Sequence, residues 1–169
     1  MKPHPRDFKF RKWDVSDATT YREILDNENI WKYMDGYPGK MTEAMARDMI
    51  QLAGDSDTHE VRAVVYKGQV VGQVRLMFDA DVPNVAEVSY LLGEQFQGKG
   101  LAVPMLMAYR IDGGARNMLK RMVAVIDRRN EGSIAVAKKA GFVRMNLPGF
   151  QGALAEEVGP LVIYSHYCF

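Results

Sequence analysis

Apolar and polar positions along the chain fall into two periods. Residues 8–15, FKFRKWDV, alternate and carry aromatic and β-branched side chains, which predicts a strand. Ser16 or Asp17 can then cap a helix over ATTYREILDN (18–27), where Tyr21, Ile24 and Leu25 share one face. IWKYMDGYPGK (30–40) holds turn residues and reads as a loop bearing exposed aromatics. Thr42 is a second N-cap, opening a helix over EAMARDMIQLA (43–53) that Gly54 closes. EVRAVVY (60–66) and QVVGQVRLMFD (69–79) read as strands joined by the two-residue turn Lys67-Gly68. After the loop ADVPN, VAEVSYLL (85–92) is a further strand.

A glycine-rich loop follows, and a long helix starts at Ala102. Pro104 is tolerated there because it falls in the first turn, where its missing N–H would have no helical partner. LKRMVAVID (119–127) predicts a strand, and EGSIAVAKKAG (131–141) a short helix ended by Gly141. Two strands near 142–146 and 160–168 finish the chain, separated by LPGFQGALAEEVGP (147–160). The order β-α-α-β-β-β-α-β-α-β-β predicts one α/β domain over residues 1–169 with a mixed sheet.

Composition narrows the function classes. The chain has 169 residues, 47% of them apolar, enough for a full core in a single domain. Lys plus Arg number 22 against 21 acidic residues, so the net charge of +1 does not suggest a nucleic-acid partner. Arg128-Arg129 and Lys138-Lys139 read as solvated faces. Cys168 is the only cysteine, which excludes an intramolecular disulfide or a cysteine zinc cluster. His4, His59 and His166 show no metal-ligand spacing, so no metal is expected. MKPHPRDFKF lacks the apolar core of a signal peptide, and no stretch approaches the roughly 18 uninterrupted apolar residues of a membrane span. The expectation is a soluble cytoplasmic protein with no membrane partner. Its eleven methionines, Met45, Met49, Met105 and Met107 among them, read as core filler.

The segment LLGEQFQGKGLA (91–102) poses the functional question. Gly93, Gly98 and Lys99 fit the G-x-x-x-x-G-K part of a nucleotide-binding P-loop, and MVAVID (122–127) ends in an acid that could hold Mg²⁺. Gly100, however, stands where that loop needs a Ser or Thr hydroxyl, and hairpin strands precede it where a P-loop expects alternating βα units. A dinucleotide fingerprint also fails, because Val103 occupies its third glycine position. A shift in register removes the misfit: QGKGLA (97–102) fits Q/R-x-x-G-x-G/A at a helix start. Small residues there let the backbone approach a phosphate, and the free amides of the first helical turn face it.

At this point the chain resembles the GNAT superfamily of N-acetyltransferases. The resemblance rests on the loop, on AEVSYLL before it, on NEGSIAVAKKAGF (130–142) after it, and on the element order. The segment EILDNENIWKYMDGYPGKMTEAMARDMI is similar in layout to the branch containing the ribosomal-protein N-terminal acetyltransferases. The resemblance implies a mixed, mostly antiparallel sheet whose fourth and fifth strands splay around the pantetheine arm of acetyl-coenzyme A. Leu92 would lie where the backbone pairs with that arm. Amides of Gln97, Gly98, Lys99, Gly100, Leu101 and Ala102 would surround the pyrophosphate. Asn130 would contact the cofactor, or else simply cap a helix. The implied reaction is direct acetyl transfer to an amine of a small molecule or a peptide, with no metal. Homodimers are frequent in the family, and nothing in the sequence singles out an interface.

Within that frame Glu87 is the candidate base, since an acid inside an apolar strand is either functional or on a wet face. Many members place a Tyr seven residues after the Asn as acid; here that position is Ala137. Ser133 is the substitute the resembling branch suggests, with a hydrogen bond in the first helical turn as its alternative. Trp31 and Tyr33 are candidates for a wall of the acceptor site. The rival class is an acyl-coenzyme A-binding module without catalysis, and a metal-dependent NTPase is a remote third.

Overall fold

The computed structural model describes residues 1–33, 39–145 and 161–168. The middle of the expected 30–40 loop, residue 146 and the 147–160 segment lie outside the described residues. The elements are β1 (Phe8–Arg11), α1 (Ala18–Leu25), α2 (Glu28–Trp31), α3 (Glu43–Leu52), β2 (His59–Tyr66), β3 (Gln69–Phe78), β4 (Val85–Leu92), α4 (Ala102–Arg116), β5 (Arg121–Asp127), α5 (Glu131–Lys139), β6 (Val143–Arg144) and β7 (Leu161–Tyr167).

Three of these differ from the sequence reading, each for a local reason. β1 stops at Arg11 because Trp13 turns inward and donates its indole N–H to Gln73 Oε1 at 3.0 Å. Asp14 and Asp17 then form a reciprocal capping box that closes a single 3₁₀ turn over Val15–Asp17. Neither Ser16 nor Asp17 caps α1 through its side chain; the Asp17 carboxylate instead accepts from Arg11 Nη1 at 2.6 Å and from the Asp14 amide. The short helix α2 lies partly where a loop was expected, started by Asn27, whose side chain accepts from the Asn29 amide. Elsewhere the caps follow the sequence. Thr42 Oγ1 accepts from Met45 N at 3.2 Å, and the amides of Gly141 and Phe142 close α5 onto Lys138 and Ala137.

The seven strands form one sheet in the order β1-β2-β3-β4-β5-β7-β6. All neighbours are antiparallel except β4 and β5, which pair in parallel only through Val85–Glu87 and Arg121–Val123. One face is covered by α4 and α5, with Met105, Leu106 and Tyr109 fully buried against Val74, Leu76 and Met122. The other face is covered by α1 and α3, where Tyr21, Ile24, Leu25, Ala46 and Ile50 meet Val61 and Ala63. Each fully buried large apolar side chain contributes about 1.5–3 kcal/mol, so both layers are needed to hold the sheet. Among the described residues no helix is long and apolar enough to cross a membrane.

A buried charge ties β2 to the end of α4. Glu60 is 4% exposed, and its carboxylate accepts from Arg62 Nη2 at 3.1 Å, Arg116 Nη2 at 2.7 Å, Tyr109 Oη at 3.1 Å and Asn117 Nδ2 at 3.2 Å. With its lone pairs filled in this way the carboxylate can stay ionised despite burial. On the α1/α3 side the strand registers align three rows of side chains: Ala63, Gln73 and Leu91; Val61, Arg75 and Ser89; His59, Met77 and Glu87.

Gly72, in the interior of β3, has a steric reason. A Cβ there would sit 2.2 Å from the carbonyl oxygen of Leu91, so only glycine lets the end of β4 come this close. Gly72→Ala must therefore push Leu91 and Leu92 away from β3. The expected outcome is a loss of about 1–3 kcal/mol in urea unfolding; an unchanged midpoint would mean that β4 shifts without cost.

Candidate active site

The limited pairing of β4 with β5 makes an opening in the sheet. Beyond Glu87 and Val123 the two strands run on to Leu92 and Asp127 with no ladder between them. A cavity of about 470 Å³ fills the parting, lined among others by Leu92, Gln97, Gly98, Ala102, Asn130 and Ser133. This volume lies within the range of small-molecule sites.

The loop at its mouth is built from short local constraints. After a 3₁₀ turn over Glu94–Phe96, the Gln97 side chain donates from Nε2 to the Leu92 carbonyl at 3.1 Å and ties the loop to the strand end. Gly98 and Gly100 both have positive φ, +71° and +74°, and among the described residues no heavy atom beyond the adjoining ones lies within 4 Å of where a Cβ would be. The open space belongs to solvent or a ligand, and the backbone angle is what calls for glycine. Leu101, 4% exposed, returns to right-handed φ and anchors the loop in the core. Such an alternation of hand is the kind of backbone in which successive N–H groups can converge on an anion. α4 then begins without a side-chain cap, so its first amides are not met by any side chain acting as a cap. Lys99 is exposed, with its ammonium 5.7 Å from the Phe96 ring centre.

The opposite wall comes from the start of α5. Asn130 Oδ1 accepts from Ser133 N at 3.1 Å, so its carbonyl oxygen makes the helix cap while the residue also lines the cavity. Ser133 Oγ donates to the Tyr90 hydroxyl at 3.0 Å, and that hydroxyl donates to the Ser133 carbonyl at 2.8 Å. Burial pushes the Tyr90 phenol up to about 12, against a smaller downward pull from Ser133. Tyr90 is the functional candidate that sequence reasoning missed. Its signal was a lone phenol between Val88 and Leu92 on the face that lines the wedge. Ala137, where a tyrosine would be expected, is fully buried in the core.

A second cavity of about 360 Å³ lies on the α1/α3 face and includes Tyr21, Trp31, His59, Arg75 and Ser89 in its lining. The two cavities share Ser89, Tyr90 and Leu91, so the end of β4 is the partition between them. Trp31 and Tyr33 are thereby separated. Trp31 lines the second cavity, with its indole N–H donating to the Leu25 carbonyl at 2.6 Å. Tyr33 lines the wedge, its hydroxyl donating to the Arg129 carbonyl at 3.3 Å. Glu87 lines neither cavity; it is half-buried one row from Ser89, about 7 Å along the strand. Burial raises its pKa above the ordinary glutamate range, with Arg75 pulling the other way.

These features define an α/β domain of the open-sheet kind, with a ligand cleft at the ends of two parting parallel strands and an anion-receptive helix start at its mouth. The family pattern described as Acetyltransferase (GNAT) domain matches residues 7–143, and the chain belongs to that acetyltransferase family. No curated protein matches by sequence. Among solved structures, RimL, a ribosomal L7/L12 alpha-N-protein acetyltransferase in complex with coenzyme A, superposes with TM-score 0.77 at 18% identity, over 98% of this chain and 96% of that one. The microcin C7 self immunity acetyltransferase MccE, in complex with acetyl-CoA and AMP, gives 0.74 at 19% identity over 95% and 92%. Spermidine N-acetyltransferase from Vibrio cholerae, in complex with CoA and spermine, gives 0.72 at 16% identity over 83% of each chain.

The cap at Asn130 is directly testable. Asn130→Ala is expected to lower stability by about 1 kcal/mol in denaturant unfolding, whereas Asn130→Asp, which keeps the accepting oxygen, stays near wild type. Equal losses in both variants would show that the cap is not what Asn130 contributes.

Proposed function

We propose that this protein transfers the acetyl group of acetyl-coenzyme A to a primary amine, of a small molecule or a protein N-terminus, by direct attack in a ternary complex. The observation that carries the reading is the uncapped start of α4 behind the Gly98–Gly100 loop, set at the mouth of the β4–β5 parting. Amides there suit a pyrophosphate, and the parted strands suit an extended arm that pairs with free backbone groups. Gln97, Gly98, Gly100, Leu101 and Ala102 supply the backbone cradle, with Lys99 adding charge at its edge. Leu92 and Asn130 flank the arm.

The amine enters from the α1/α3 cavity and meets the thioester where the two cavities share Ser89, Tyr90 and Leu91. Its nitrogen attacks the carbonyl carbon, the C–S bond breaks, and the nitrogen loses a proton. An alkyl amine of pKa about 10.4 is neutral in roughly one molecule per thousand near pH 7.4, so a base matters; an α-amine near 8 depends on it less. Glu87 takes that proton through water along the row leading from Ser89, since it does not line the cavity itself. A backbone N–H near Leu92 meets the developing oxyanion.

The departing thiolate meets the Tyr90–Ser133 pair. A phenol pushed up to about 12 does not hand its proton fully to a thiolate of pKa about 8.5, because each unit of difference costs about 1.4 kcal/mol. Tyr90 therefore donates a hydrogen bond to the sulfur only by turning its one proton away from the Ser133 carbonyl, Ser133 Oγ holds the phenol oxygen meanwhile, and the thiolate leaves with a proton from solvent. Ser133→Ala is accordingly mild.

The deciding experiment adds acetyl-coenzyme A, coenzyme A and Mg²⁺-ATP separately in thermal unfolding, followed by an amine-dependent assay for free thiol. A ligand at about 100 times its dissociation constant stabilises the fold by roughly 2.7 kcal/mol. The coenzyme A species alone should do so; stabilisation by Mg²⁺-ATP alone would overturn the reading, and binding without thiol release would leave a non-catalytic module. Gly100→Val should weaken coenzyme A at least about tenfold, because a branched side chain resists positive φ by more than about 1–2 kcal/mol. Unchanged affinity contradicts the loop assignment. For Glu87→Gln the sign follows from the base needing to be ionised. Wild-type activity on an alkyl amine falls as pH drops through the raised Glu87 pKa. The variant loses roughly tenfold to a hundredfold at neutral pH and recovers as pH approaches the pKa of the amine. A pH–rate profile identical to wild type removes Glu87 from the mechanism.

A further inference from the structure

The acceptor cavity carries a chemical preference that narrows the amine. Its lining is mostly apolar, with Leu25, Trp31, Met49 and Val61 among the walls, and among the described residues no carboxylate lines it. Its one guanidinium is that of Arg75, an exposed residue of β3. Among the described residues the Arg75 guanidinium makes no ion pair or hydrogen bond; its electrostatic neighbours are the half-buried Glu87 on β4 and the phenol of Tyr21 on α1. Tyr21, 4% exposed, likewise makes no hydrogen bond among the described residues and lines the same cavity. Arg75 and the Tyr21 phenol thus border a mostly apolar space whose other polar side chains, His59, Gln73, Ser89 and Tyr90, carry no negative charge, which is the complement of an anion attached to an apolar body.

The register places Arg75 beside the junction of the two cavities. Arg75 stands directly opposite Ser89, which belongs to both cavities, and residues facing each other across an antiparallel pair have Cα atoms about 4.5–5.5 Å apart. Arg75 thus borders the junction where the nitrogen reacts, and an acceptor that carries its anion close to its amine, as an α-amino acid does, can engage both. We infer that the acceptor is a free α-amino acid with an apolar or aromatic side chain, its carboxylate held by Arg75 and Tyr21 and its side chain packed against Trp31 and Leu25. Arg75 also favours the uncharged amine, since a nearby cation disfavours the ammonium form. Polyamines fit poorly, because each further ammonium would enter a cavity whose fixed charge is positive. Internal peptide N-termini lack the α-carboxylate and lose the same contact.

This rests on the acetyl-transfer reading, and the test separates the two. With acetyl-coenzyme A and the full chain, kcat/KM is compared for phenylalanine, phenylalanine amide, the dipeptide Phe-Ala and spermidine at about pH 9.5, where the α-amines are largely neutral. Phenylalanine should exceed its amide and the dipeptide by at least about tenfold, the factor that a charge-assisted hydrogen bond confers. Arg75→Gln should bring that ratio to about one, and Arg75→Lys should leave it in between. The ratio is the readout because at this pH the three α-amines are largely neutral without a base, so the influence of Arg75 on Glu87 drops out of the comparison among them. A preference for spermidine, equal use of the amide, or a ratio that survives Arg75→Gln overturns the inference while acetyl transfer stands. If acetyl-coenzyme A binds and no amine in a broad panel is acetylated, acetyl transfer itself falls and the acceptor assignment with it.

Discussion

β4 and β5 pair through three residues each and then part, and the rest of the site depends on that parting. A parallel ladder continued to Leu92 and Asp127 would close the cavity and use the backbone groups that now border it. Two constraints keep the strands apart. On one side β4 leans toward β3, where Gly72 leaves room for the Leu91 carbonyl and the Gly93 amide donates to the Val71 carbonyl at 2.9 Å. On the other side β5 is held along its whole length by β7, from Arg121 opposite Tyr167 to Asp127 opposite Leu161. Each strand is satisfied on its outer edge, so the inner edges can remain open to a ligand.

The helices set what enters the gap. α4 packs Met105 and Leu106 into the core and so points its uncapped start at the mouth of the parting. Its far end is pinned to β2 by the Glu60 cluster, through Tyr109, Arg116 and Asn117. A helix fixed at its C-terminal end by several charge-assisted bonds cannot easily slide, so its N-terminal amides hold their place relative to Leu92. α5 contributes in the same manner, with the Asn130 cap fixing Ser133, and Ser133 in turn holding the Tyr90 hydroxyl.

The hydroxyls that border the wedge come from two different elements. The Ala137 side chain has no polar atom to offer, and the residue is fully buried in the core. The phenol that borders the wedge comes from β4 instead; burial makes it a poor acid, and its two hydrogen bonds to Ser133, one accepted and one donated, hold it in place. A thiolate is a tolerable leaving group, and a hydrogen bond suffices to stabilise it.

Much of this was legible in the chain itself. Alternation in EVRAVVY and VAEVSYLL, the cap at Thr42 and the stop at Gly141 are local, so the elements they begin, form and end could be read without a partner. QGKGLA was legible for the same reason, because the positive φ of Gly98 and Gly100 and the helix start at Ala102 are short-range properties. What tertiary structure decided was which side chains share a space. Trp13 ended β1 early by reaching Gln73, sixty residues away in sequence. Neighbouring Trp31 and Tyr33 went to different cavities, while Tyr90 and Ser133, forty-three residues apart, became hydrogen-bond partners. Gly72, Arg75 and Glu87 have meaning only through strand register, which is set by the pairing of whole strands and not by any residue's own preference.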